Sequence, residues 1–71
     1  MSFSEFIKEV RRSLNLSQKQ LAQALNVNYT TVNRWENAHV IPSNLARKCF
    51  FDLCESNFIS IPDDLREKES N

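Results

Sequence analysis

Five side chains raise the first question. In the stretch NYTTVNRWENA, residues 28–38, Tyr29, Thr30, Asn33, Arg34 and Asn37 follow one another at intervals of one, three, one and three residues. On a helix advancing about 100° per residue, that spacing gathers them on one arc and leaves Val32 and Trp35 on the other side. The arc carries a phenol, a hydroxyl, two amides and a guanidinium, with no lysine or glutamate among them. A face that needs only solvation is ordinarily filled with Lys and Glu, whereas these groups hydrogen-bond with direction. A helix about 10 Å across fits the major groove of duplex DNA. There each base pair shows its own pattern of donors and acceptors, and amides and guanidinium groups match such patterns two bonds at a time. The chemistry on offer is recognition.

Other chemistries lack their parts. His39 is the sole histidine, and Cys49 and Cys54 stand five residues apart, about 140° around a helix, so neither a mutual disulfide nor a zinc site is expected. Both thiols are expected to be reduced, with Cys49 buried. No nucleophile is patterned with the histidine, and a chain without glycine has no phosphate-cradling glycine loop. The expectation is a protein that is not an enzyme and holds neither metal nor cofactor. Trp35 reads as core.

With 71 residues the chain builds one small core, since a domain of this size buries only about 60% of its unfolded surface. No apolar run approaches a membrane span, and MSFSEFIKEVRR is amphipathic rather than a signal peptide, which implies a cytoplasmic protein. The net charge is zero, but unevenly spread: residues 1–54 hold seven basic and four acidic groups, a net of +3, and residues 55–71 hold two and five, a net of −3. The body is mildly basic and the tail cancels it, so the total does not argue against a nucleic-acid partner.

The elements that must position the arc are helical, glycine being absent and proline limited to Pro42 and Pro62. Phe3, Phe6, Ile7, Val10 and Leu14 share one face of a first helix, with a capping box at Ser2 and Glu5 and a left-handed stop at Asn15. Ser17 and Gln20 open a second, short helix whose stripe is Leu21, Ala22 and Leu25 and whose stop is Asn26. Barely two turns long, it depends on tertiary packing. Asn28 caps the third helix. Ser43 caps a fourth, with Leu45, Ala46, Cys49, Phe50 and Leu53 as its stripe and Phe51 off it. Ser60, Pro62 and Asp63 predict a short fifth helix, and the last few residues read as disordered. Phe51, Phe58, Ile59 and Ile61 are either covered by the tail or form a homodimer patch. The domain spans residues 1–61, and residues 62–71 form an acidic tail.

Two short helices with a tight turn, followed by an outward hydrogen-bonding arc, have the layout of a helix-turn-helix. LSQKQLAQALNVNYTTVNRWENAHVIPS resembles the Cro/repressor-type helix-turn-helix family, also called the xenobiotic-response-element family, of bacterial and phage transcription regulators. The resemblance runs from about Ile7 to Cys54 and rests on LSQKQLA, TTVNRWEN and PS in their spacing. It implies an all-α, compact, lambda-repressor-like domain of four or five helices whose third helix enters the major groove of double-stranded DNA. By the same resemblance Tyr29, Thr30 and Arg34 match base-facing positions with Asn33 between them. Gln18, Asn37, His39 and Asn44 match backbone-phosphate contacts, and Gln18 also supports the first recognition residue. Arg11 and Glu36 match a pair that ties the first helix to the third; breaking it costs about 3–5 kcal/mol if buried. Arg34 is expected on guanine O6 and N7 and Asn33 on adenine, with Tyr29 open between a thymine methyl and a phosphate. Lys8, Arg12, Lys19, Arg47 and Lys48 stand between phosphate contact and plain solvation, with Lys19 counted among the phosphate contacts.

Two departures matter. Asn26 and Ala38 stand where the family commonly has glycine. A left-handed alanine costs about 1–2 kcal/mol, so the turn is expected to shift to Asn37. The function implied is sequence-specific DNA binding by a transcriptional regulator. The alternatives are a targeting or antitoxin-like module of the same fold, attached to a DNA-modifying system or a toxin, and a protein-interaction module that has lost DNA.

Overall fold

The computed structural model describes residues 1–65, and the end of the chain expected to be disordered lies outside them. Four helices follow one another: α1 (Phe3–Ser13), α2 (Gln18–Leu25), α3 (Tyr29–Glu36) and α4 (Asn44–Ser56). The expected fifth helix is a single 3-10 turn, Asp63–Leu65, and no strand occurs among the described residues. None of these helices is long and apolar enough to cross a membrane.

The starts of the helices are written locally. Ser2 Oγ accepts from the Glu5 amide at 3.2 Å while Glu5 Oε1 accepts from the Ser2 amide at 3.2 Å. Ser17 and Gln20 repeat the exchange at 3.0 and 2.8 Å, so two orphan donors are satisfied at each start. Ser43 Oγ caps α4 through the Ala46 amide at 3.2 Å. Asn28 differs from expectation. It takes the extended cap conformation, but its side chain makes no capping hydrogen bond.

All four helices end the same way. The amides of Leu16, Val27, His39 and Ile59 reach back to the carbonyls of Arg11, Ala22, Arg34 and Cys54 at 2.9–3.0 Å. The residue before each of them is left-handed: Asn15, Asn26, Ala38 and Phe58 have φ of 59–61°. This is the closure that glycine usually makes. The expected shift of the third turn to Asn37 does not occur: Asn37 has φ −95° and Ala38 takes the left-handed position. The two hydrogen bonds that close the motif, from Ala38 to Trp35 and from His39 to Arg34, outweigh the alanine's cost of about 1–2 kcal/mol. Leu16, Val27 and Ile59 then tuck against the core. His39, at the equivalent place after α3, is exposed.

The core consists of Phe6, Ile7 and Val10 from α1, Leu21 and Ala22 from α2, Val32 and Trp35 from α3, Phe50 and Cys54 from α4, and Ile61. Phe50 meets Phe3 and Phe6 edge-on, with centroids 5.7 and 5.8 Å apart, a favoured aromatic geometry. On α4 the buried face is rotated from the expected stripe. Cys54 is buried and Cys49 exposed, Leu45 is 73% exposed, and Phe51 is partly buried against Phe3. The chain returning through Ile59, Ile61 and Leu65 packs on the core as well, and this draws the contact face of α4 toward Phe51. Burial first, with Glu55 adding, pushes the Cys54 thiol up to about 11 against the opposing pull of a backbone hydrogen bond.

Arg47 is part of this packing rather than a free surface cation. Its guanidinium lies 5.5 Å from the Phe3 ring centre and donates from Nη2 to the Leu65 carbonyl at 3.0 Å. The Met1 ammonium lies 3.4 Å from Asp64.

Candidate nucleic-acid interface

α2 and α3 form the hairpin that the site depends on. Val32 and Trp35 seat α3 on the core, and the Asn26 turn sets its angle to α2. The opposite side of α3 faces outward: Tyr29 is 49% exposed, and Thr30, Arg34 and Asn37 are exposed too. Among the described residues, no side-chain hydrogen bond or ion pair holds Tyr29, Thr30 or Arg34. Lys19 on α2, His39 after α3 and Asn44 at the start of α4 are exposed as well. A phenol, a hydroxyl and a guanidinium are thus free to bond outward.

Beneath that surface lies a polar network. Glu36 is only 4% exposed, the one buried charged residue among those described. Arg11 grips it with two parallel bonds, Nε to Oε2 at 2.6 Å and Nη2 to Oε1 at 3.1 Å, and uses Nη1 on the Leu16 carbonyl at 3.1 Å. This fork matches carboxylate geometry and ties α1 to the last turn of α3. Gln18 Nε2 donates to Glu36 Oε1 at 3.0 Å, so the start of α2 joins the same carboxylate. Burial works to raise the Glu36 carboxyl, but the hydrogen bonds from Arg11 and Gln18 and the charges of Arg11 and Lys8 outweigh it. The net effect holds the carboxyl below its ordinary range. The bond to Glu36, opposed by burial, raises Arg11 in turn.

The network continues outward. Asn33 Nδ2 donates to Gln18 Oε1 at 3.2 Å, and Asn37 Nδ2 donates to Asn33 Oδ1 at 3.2 Å. Of the sequence-derived candidates, Arg11, Glu36, Gln18, Asn33 and Asn37 therefore form one chain of bonds, while Tyr29, Thr30, Arg34, Lys19, His39 and Asn44 stand apart from it. The link from Asn33 to Asn37 follows from their spacing of four on one helix. The link from Gln18 to Asn33 joins residues 15 apart and leaves no local signal.

The helix-turn-helix family profile matches residues 7–45. The chain is also similar to the HTH-type transcriptional activator BcrR of Enterococcus faecalis, with 34% identity over 63 residues. That stretch covers 84% of this chain and 31% of the relative, so the chain spans about a third of the relative's length. No solved structure matches. The matched segment is more than half of the chain and runs from within α1 into α4, with the whole α2–α3 hairpin inside it. With its all-helical, lambda-repressor-like architecture, the chain belongs to the Cro/repressor-type helix-turn-helix family.

Proposed function

We propose that this domain binds double-stranded DNA sequence-specifically, with α3 in the major groove, and serves as the DNA-reading part of a transcriptional regulator. The observation that carries the reading is the outward set of Tyr29, Thr30 and Arg34, exposed and without intramolecular partners among the described residues, on a helix whose back is fixed in the core. Arg34 reads guanine through O6 and N7, the pairing its fork fits best. Tyr29 and Thr30 flank it toward the helix start. Gln18, Lys19, Asn37, His39 and Asn44 hold the sugar-phosphate backbone and set the register. The similarity to a named transcriptional activator supports the regulatory role.

Selection from random duplex pools at several salt concentrations tests this. The expected outcome is one enriched motif, with affinity that falls as salt rises by a slope reflecting a handful of phosphate contacts. Arg34→Ala should cost about 1–3 kcal/mol on the preferred duplex and lose preference at one base position. Enrichment of no sequence at low salt would reject DNA reading in favour of a protein-interaction module of the same fold.

A further inference from the structure

Gln18, Asn33 and Asn37 carry primary amides, whose two ends differ: the nitrogen only donates and the oxygen only accepts. What orients them is Glu36. Its ionised carboxylate only accepts, and Arg11 already holds both of its oxygens. Gln18 must therefore turn Nε2 toward Glu36 Oε1. That leaves Gln18 Oε1 to accept from Asn33, which must present Nδ2. Asn33 then offers Oδ1 to Asn37, whose Nδ2 meets it. One buried charge thus sets the polarity of three amides in series, ending at an exposed side chain. Each NH2 group uses one N–H in the series and keeps the other, and phosphate oxygens only accept.

We propose that Asn33 is a positioning residue of the interface and not a base reader: it carries the polarity imposed by Glu36 outward, so that Gln18 and Asn37 meet the DNA backbone with preset N–H donors. The inference rests on the DNA-binding reading above. Reading adenine requires an amide to present its oxygen and its nitrogen to one base edge together. Asn33 has both ends engaged within the protein, and turning it onto a base breaks the series at its centre. Arg34, one residue on, has no such commitment among the described residues.

The experiment uses the whole 71-residue chain as wild type, Asn33→Ala, Asn37→Ala, the double variant, and Arg34→Ala as the substitution that alters the motif. Each is carried through duplex selection and salt titration, and the side-chain amide NMR signals of the DNA-free proteins are recorded. Asn33→Ala is expected to keep the wild-type motif at every position while weakening all duplexes alike by about fivefold, the equivalent of one hydrogen bond. Its loss should overlap with that of Asn37→Ala in the double variant rather than add to it. Without DNA, it should shift the amide signals of both Gln18 and Asn37. A changed preference at one base position, an unchanged affinity, fully additive losses or an unmoved Asn37 signal would each overturn the proposal. If the amide shifts occur as described but the wild type enriches no duplex, DNA reading itself has failed. The outward role of Asn33 falls with it, and the series belongs to the fold alone.

Discussion

The seam between α1 and α4 is aromatic, whereas the seam joining α1, α2 and α3 beneath the outward face is finished with charge and amides. Phe50 meets Phe3 and Phe6 edge-on, a preferred arrangement that tolerates a range of ring distances and tilts while most of its gain comes from burial. Around Glu36, Arg11 and Gln18 each arrive along a narrower direction still, because hydrogen bonds weaken steeply when misaligned. The first seam keeps the helices together. The second fixes how α3 is turned, which a surface that reads base edges needs more than raw stability.

The largest expected effect lies on the aromatic side. Phe50 is fully buried, and Phe50→Ala should cost about 3–5 kcal/mol, a large share of what a domain of this size has. Thermal unfolding followed by circular dichroism measures it, and a loss below about 1 kcal/mol would erase the contrast. Next comes Glu36→Gln, which leaves Arg11 without its counter-charge and should cost about 3 kcal/mol. This loss carries a pH signature. The folded carboxyl titrates below its ordinary 4.5, so its contribution is complete above that value and fades as pH falls beneath it. Denaturant titrations from pH 7 to pH 3 should show wild type losing stability in acid and Glu36→Gln lacking that portion of the loss. Equal acid sensitivity would place the titration elsewhere.

The smallest effect sharpens the contrast where α3 ends. Ala38→Gly relieves the left-handed alanine and should stabilise by about 1 kcal/mol, raising Tm by about 4–8 °C. A decrease in Tm would mean that the greater freedom of glycine in the unfolded chain outweighs the relief.

What was legible in the sequence was local. Ser2 with Glu5 and Ser17 with Gln20 announce their helix starts because both partners lie within one turn, and Asn15 and Asn26 tolerate the left-handed turn on their own account. Of the outward arc of α3, Tyr29, Thr30, Arg34 and Asn37 were legible from spacing alone, given Val32 and Trp35 as its back, whereas Asn33 is half-buried. Three features were not. Ala38 turns left-handed because the closing hydrogen bonds of the helix end demand it, which no propensity of alanine foretells. Cys54 is buried in place of Cys49 because the chain beyond α4 packs on the core and draws the helix face with it. Gln18 and Asn33 meet only once α2 and α3 are in place, so a side chain with a free amide in sequence turns out to be committed in space.

The contact between the Met1 ammonium and Asp64 brings residue 1 beside the last described turn. A linker joining Leu65 to Met1 would close the described fold, and a new opening at Ile41, which is 81% exposed, would give the order α4, α1, α2, α3 without cutting the hairpin. Spatial arrangement, rather than the order in which the ribosome makes the helices, is then what the outward side chains of α3 depend on.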